Sequence, residues 1–192
     1  RDKSCLAAML AVALPRPRWC HARMLLRPMA IAPLLALLIW VSAPHAALAS
    51  CSDLPSAGVD WRSCNLAGVG FPDSVMAGGN LRGAALSNAD HSGSDFSGID
   101  GYRVRFVESD LTGAIFDGAT LTDARFDRAD LTGASMRSVS ARGAKFQFAN
   151  LTGVDFTDAN LRNVDFTGAD LSGATWTDGV KICAEGSSGV CR

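Results

Sequence analysis

Past residue 49 the chain carries a single histidine, His91, and no Cys-x-x-Cys pair. One histidine excludes a two-histidine metal site and leaves no Ser/His or Cys/His couple to activate a nucleophile. Without Cys-x-x-Cys, redox catalysis by a local thiol pair has no basis. No glycine-rich phosphate loop is present either, because the glycines fall on a regular beat. The apolar run at 30–41 (AIAPLLALLIWV) is too short to span a bilayer comfortably. The reading is therefore a protein with no catalytic residue, no cofactor and no metal ion.

Charge divides the chain in two. Residues 1–49 hold six basic residues and one acidic one, whereas residues 50–192 hold 12 basic and 18 acidic, a net charge of −6. An acidic body argues against nucleic acid as a partner, since phosphate binding needs cationic neutralisation. The basic leader reads as a secretory signal peptide over 1–49. Arg23 and Arg27 precede the apolar run, Pro44 breaks it, and Ala47-Leu48-Ala49 offers small residues for cleavage before Ser50. Residues 1–23 then lie upstream of a start at Met24 or Met29. Export to a bacterial periplasm or the exterior follows, with no stable membrane span after cleavage.

Cys5 and Cys20 fall in the leader, which leaves Cys51, Cys64, Cys183 and Cys191 in the mature chain. An even count, two near each end, predicts two local disulfides in an oxidising compartment. Leu48-Ala49-Ser50-Cys51 also resembles a bacterial lipobox, which would put a lipid anchor on Cys51. Both readings stand at this level, with parity on the side of the disulfides.

What the chain has in abundance is a five-residue period. Every fifth residue from Trp61 to Trp176 is large and apolar except His91, Gly101 and Ala141, and a small or β-branched residue sits two positions before most of them. A helix needs a 3.6-residue repeat, so a period of five sustained this long excludes one. Units such as Ala129-Asp130-Leu131-Thr132-Gly133 and Ala149-Asn150-Leu151-Thr152-Gly153 resemble the pentapeptide repeat family over 24 consecutive units. The resemblance implies an all-β fold, a right-handed quadrilateral β-helix of about six coils with four units per coil. The repeat block sets the β-helix at 59–178, and the cysteines outside or at its ends make 50–58 an N-terminal cap and 179–192 a C-terminal cap closed by disulfide. At about 4.8 Å per coil the rod is roughly 29 Å long.

Folding the sequence at twenty residues per coil stacks Asp90, Asp110, Asp130, Asn150 and Asp170 in one column. Such a ladder has the chemistry for Ca²⁺, but asparagine in the series points to local backbone capping instead. A second column stacks Arg105, Arg125 and Lys145, with Arg128 and Phe148 on the same side and Tyr102, Arg103, Arg142 and Arg162 around the corner. This mixed basic and apolar strip departs most from the repeat consensus. Tyr102, Arg103, Arg105, Arg125, Arg128, Lys145 and Phe148 are the candidate face for an unidentified protein partner. The stretch 101–108 lacks the usual glycine two residues after Phe106, which predicts a local bulge.

Two functional classes remain. One is a non-enzymatic scaffold or protein-contact rod in the cell envelope. The other follows from the resemblance alone: some cytosolic family members mimic DNA and bind type II topoisomerases, using a strongly acidic rod. The basic column and the export signal favour the first.

Overall fold

The computed structural model describes residues 50–192, so the signal-peptide reading of 1–49, with Cys5 and Cys20, lies outside the described residues. Each five-residue unit makes one side and one corner of a square coil. At the corner the chain reverses in a four-residue turn, as in Ala114 N–H donating to the Leu111 carbonyl at 3.0 Å. The third turn residue has a left-handed φ, which the repeat usually satisfies with glycine, for example Gly113 at +65°. Between corners, one residue per side pairs in parallel with the residue twenty positions on, from Asp60↔Asn80 to Asp155↔Thr175. The result is a right-handed quadrilateral β-helix.

Successive coils are stitched by hydrogen bonds in both directions. The amide of Leu81 donates up to Asp100 O at 2.8 Å, and that of Asn80 donates down to Val59 O at 2.8 Å. We name the four sides by a middle residue, in chain order the Asp100, Arg105, Asp110 and Ile115 sides. The apolar centres and the small residues before them fill the bore, with Phe106, Leu111, Phe116 and Leu121 of one coil fully buried. Phe106, Phe126 and Phe146 stack at 5.3 and 4.8 Å, and Phe116 meets Phe126 edge-on at 5.7 Å.

No bulge forms at 101–108. Arg105 keeps its parallel pairing with both Ala85 and Arg125, and Glu108 itself adopts the left-handed φ, +56°, that a glycine would have taken. The coil register is held from above and below, so the corner absorbs the strain rather than the ladder.

Both ends are stapled. Cys51 is bonded to Cys64 across the first coil, and Cys183 to Cys191 within the C-terminal segment, at Cα separations of 5.4 and 4.8 Å. Trp61 is fully buried in the first coil, its ring 5.1 Å from Phe71. The C-terminal segment runs antiparallel over the last coil, pairing Asp170 with Ser188 and Thr175 with Ile182. It covers only half of that coil. The amides of Leu161, Asn163, Phe166 and Gly168 meet no carbonyl above them among the described residues, and Leu161, Val164 and Phe166 are only partly buried. Loops of 13 and 8 residues gain roughly 2–3 kcal/mol each from closure. Reduction should therefore lower the melting temperature while leaving the middle coils folded, read as amide-exchange protection that is lost at the two ends first.

Candidate functional site

The repeat places all seven residues of the predicted face on the Arg105 side or its two corners. Arg105, Arg125 and Lys145 pair in register as successive bridge residues, so their side chains leave the rod in one column, a coil apart. Below them the column continues as Asn65 and Ala85, and above them as Asp165. One corner carries Arg103 and, in a single column, Arg62, Arg82, Tyr102, Thr122, Arg142 and Arg162. The other carries Glu108, Arg128 and Phe148.

Arg62 and Arg82 were missed in the sequence-based face, although their twenty-residue spacing from Tyr102 and Arg142 was there to be read. With them, nine of the 12 basic residues in 50–192 lie on this side and its corners, against four of the 18 acidic ones. The rod is thus segregated: one side carries net positive charge and the other three, with the caps, carry the negative charge.

Several of these charges are already matched. Arg62 bonds Asp60 at 2.8 Å and Arg82 bonds Asp100 at 3.0 Å, both reaching to the adjacent Asp100 side. Arg128 bonds Glu108 at 3.0 Å, and Arg103 approaches Asp123 at 3.7 Å. Arg125 holds Asp127, a nearly buried carboxylate, at 2.6 Å. Among the described residues Arg105, Arg142, Lys145 and Arg162 form no ion pair. Tyr102 lies between two guanidinium groups, Arg82 at 4.7 Å and Arg103 at 4.8 Å from its ring centre, which fixes the ring and its cations together. An open groove of about 420 Å³ runs between Arg103, Arg105, Arg125 and Lys145.

Phe148 is the large aromatic of this side that faces solvent, 61% exposed, and it occupies a corner with φ at +59°. A left-handed conformation costs a bulky residue about 1–2 kcal/mol, so the fold bears a local cost to display this ring. Replacing Phe148 by glycine is expected to raise stability by about 0.5–1 kcal/mol in a thermal melt. A loss of stability instead would make the ring a packing element, seated on Gly168.

The acidic ladder lies on the next side. Asp90, Asp110, Asp130 and Asp170 each accept the amide two residues on through Oδ1, at 2.9 Å, from Ser92, Thr112, Thr132 and Ser172. Asn150 does the same for Thr152 at 3.2 Å. Hydrogen bonds from the serine hydroxyls and amides hold the Asp90 and Asp170 carboxyls below the usual range, so they stay ionised. Asp165, held by Thr167 and Gln147, is lowered to about 2. The ladder serves the corners, as asparagine in the series implied. Among the described residues no three His, Cys, Asp or Glu side chains converge as a metal site.

Comparison with known proteins places the repeat. The pentapeptide repeats family model matches in eight copies, over 80–118, 102–137 and 142–175. The chain belongs to the pentapeptide repeat family. Among solved pentapeptide repeat structures it is similar to HetL, a protein involved in heterocyst differentiation regulation in the cyanobacterium Nostoc sp. strain PCC 7120. The two are 26% identical over 60% of this chain and 54% of HetL, with a TM-score of 0.38. The match thus spans about half of HetL. A pentapeptide repeat protein of the Arabidopsis thaliana thylakoid lumen is 31% identical over 57% of this chain and 85% of its own, with a TM-score of 0.31. QnrB1, a plasmid-mediated fluoroquinolone resistance protein, is 20% identical over 63% and 72%, with a TM-score of 0.42. No curated protein matches the chain. Pentapeptide repeat proteins are in general structural or interaction proteins rather than catalysts.

Proposed function

We propose that this protein is a non-enzymatic, exported rod that acts as a scaffold and protein-contact surface in the cell envelope. The observation that carries the reading is charge segregation: an otherwise acidic solenoid gathers nine basic residues on one side and its corners, several without an ion-pair partner among the described residues. A flat side with arginines, a clamped tyrosine and a displayed phenylalanine is suited to protein contact, where aromatic and arginine anchors dominate binding. Among the described residues the bore is filled, so it offers no interior site in which catalytic groups could converge. Export is supported by the leader at 1–49 and by two bonded cysteine pairs, which belong to oxidising compartments. The pairing of Cys51 with Cys64 supports the disulfide reading of Cys51 over a lipid anchor. A DNA-mimicking role uses a strongly acidic rod, and the Arg105 side dilutes that acidity here.

Site-specific photo-crosslinking in the native cells tests the contact. A crosslinker at Lys145 should yield defined protein adducts, and one at Ser135, on the opposite side, should not. Equal labelling from both positions would remove the contact surface from the account.

A further inference from the structure

We propose that the partner of the Arg105 side is a second copy of this chain: the Arg105–Arg125–Lys145 column of one molecule lies along the Asp130–Asp110–Asp90 column of the next. The inference rests on the reading of this side as a protein-contact surface and supplies the partner that reading leaves open.

The argument is one of matching combs. Both columns consist of residues twenty apart that pair in register in the same β-helix, so both repeat at the same coil spacing, about 4.8 Å. When one cation of the first comb finds a carboxylate of the second, the other two are placed as well. An extended acidic peptide repeats its same-face side chains at about 6.8 Å and falls out of step by the third position. The chemistry of the two columns is complementary. Arg105 and Lys145 make no ion pair among the described residues. Asp90, Asp110 and Asp130 use Oδ1 for their own corners, while Oδ2 makes no hydrogen bond among the described residues.

Direction follows from the rest of each column. With the rods antiparallel, Arg105 faces Asp130, Arg125 faces Asp110 and Lys145 faces Asp90. Asp165 then falls opposite Gly70, and Asn65 opposite Asp170, so no like charges meet. With the rods parallel and level, Asp165 would face Asp170; offset by one coil, parallel rods fill the comb but overlap at five levels, against six in the antiparallel contact. The antiparallel contact uses different sides of the two molecules and leaves one comb unused on each. Association is therefore open-ended, growing sideways with concentration rather than closing as a dimer.

The test is sedimentation of the protein as its native cells accumulate it, with two variants produced the same way. R105Q/K145Q disarms the basic comb and spares Arg125, which holds the nearly buried Asp127. D90N/D110N/D130N disarms the acidic comb and keeps the corner-capping oxygen, as Asn150 does. The native protein should grow in mean mass with concentration at about 0.01 M salt and fall to monomer near 1 M, where the Debye length shrinks from about 30 Å to about 3 Å. Each variant alone should remain monomeric and should still unfold in one cooperative melt. Mixed in equal amounts, they should form a dimer and stop, because one live comb meets the other and nothing remains to extend it. A native protein that is monomeric at low salt, or assemblies that persist in either variant, would overturn the proposal. A monomer that instead takes up polyaspartate through the Arg105 side also overturns self-association, but leaves the contact reading of that side standing. A monomer that binds neither removes both.

Discussion

Replacing Phe126 by alanine is expected to cost about 3–5 kcal/mol in denaturant unfolding, the range for truncating a buried aromatic. Phe126 is fully buried in the middle of the rod, stacked on Phe106 at 5.3 Å below and Phe146 at 4.8 Å above, with Phe116 edge-on at 5.7 Å. Stability in a solenoid is a sum over neighbouring coils, so a void at this level weakens two interfaces at once. The surrounding rings belong to coils whose spacing is set by backbone hydrogen bonds, which leaves little room to collapse into the void. Phe166→Ala, in the partly covered last coil, should cost about half as much. A Phe126→Ala loss below about 1 kcal/mol would mean that the phenylalanine column does not carry the core.

His91→Leu is expected to stabilise the protein, and more so in acid. His91 is fully buried at a centre position, with Phe71 stacked at 6.0 Å and Phe96 and Phe106 edge-on at 6.1 and 5.9 Å. Its Nε2–H donates to the Leu86 carbonyl at 3.1 Å, but among the described residues Nδ1 has no hydrogen-bond partner. Burial lowers the His91 pKa from its ordinary 6.5, against a smaller opposing pull from the Leu86 carbonyl and the neighbouring Asp90. The folded protein therefore binds this proton less readily than the unfolded chain. Stability is complete above pH 6.5 and is lost as pH falls below it, by at most about 1.4 kcal/mol per unit. The advantage of leucine therefore grows towards pH 5, and relief of the unpartnered Nδ1 adds about 1–3 kcal/mol. Leucine restores the repeat consensus, and the Leu86 carbonyl keeps a donor in the Ser109 hydroxyl at 2.8 Å. Melting curves of the two proteins from pH 7.5 to 5 should diverge, with the native protein falling and the variant flat. Parallel curves would place the acid sensitivity elsewhere.

These two residues also show what the sequence made legible. Phe126 was readable because a five-residue period and a twenty-residue coil fix both its burial and its stacking partners. The cysteine pairs were readable from parity and from their places at the two ends. His91 was placed inward by the same period, but its bond to Leu86 was not readable, because that contact crosses a corner whose own turn bond is open. The predicted bulge near Phe106 failed for a related reason. A missing glycine is a local signal, whereas Glu108 is held in register by the coils above and below. The basic side was half visible. Arg105, Arg125 and Lys145 stand out as a run of departures from the aspartate or asparagine that usually precedes the apolar centre, while Arg62 and Arg82 look ordinary until all the basic residues are placed on one square rod. The open half of the last coil, from Leu161 to Gly168, was hidden, because only the path of the C-terminal segment decides which side it covers.

Export underlies the whole functional account, since it sets both the compartment of any partner and the state of the four cysteines. The direct measurement is the intact mass of the protein from its native cells, before and after reduction and alkylation. A chain that begins at Ser50, lighter by four hydrogens and taking up four alkyl groups only after reduction, is the expected result. A chain that retains the 1–49 leader and carries free thiols would contradict the account.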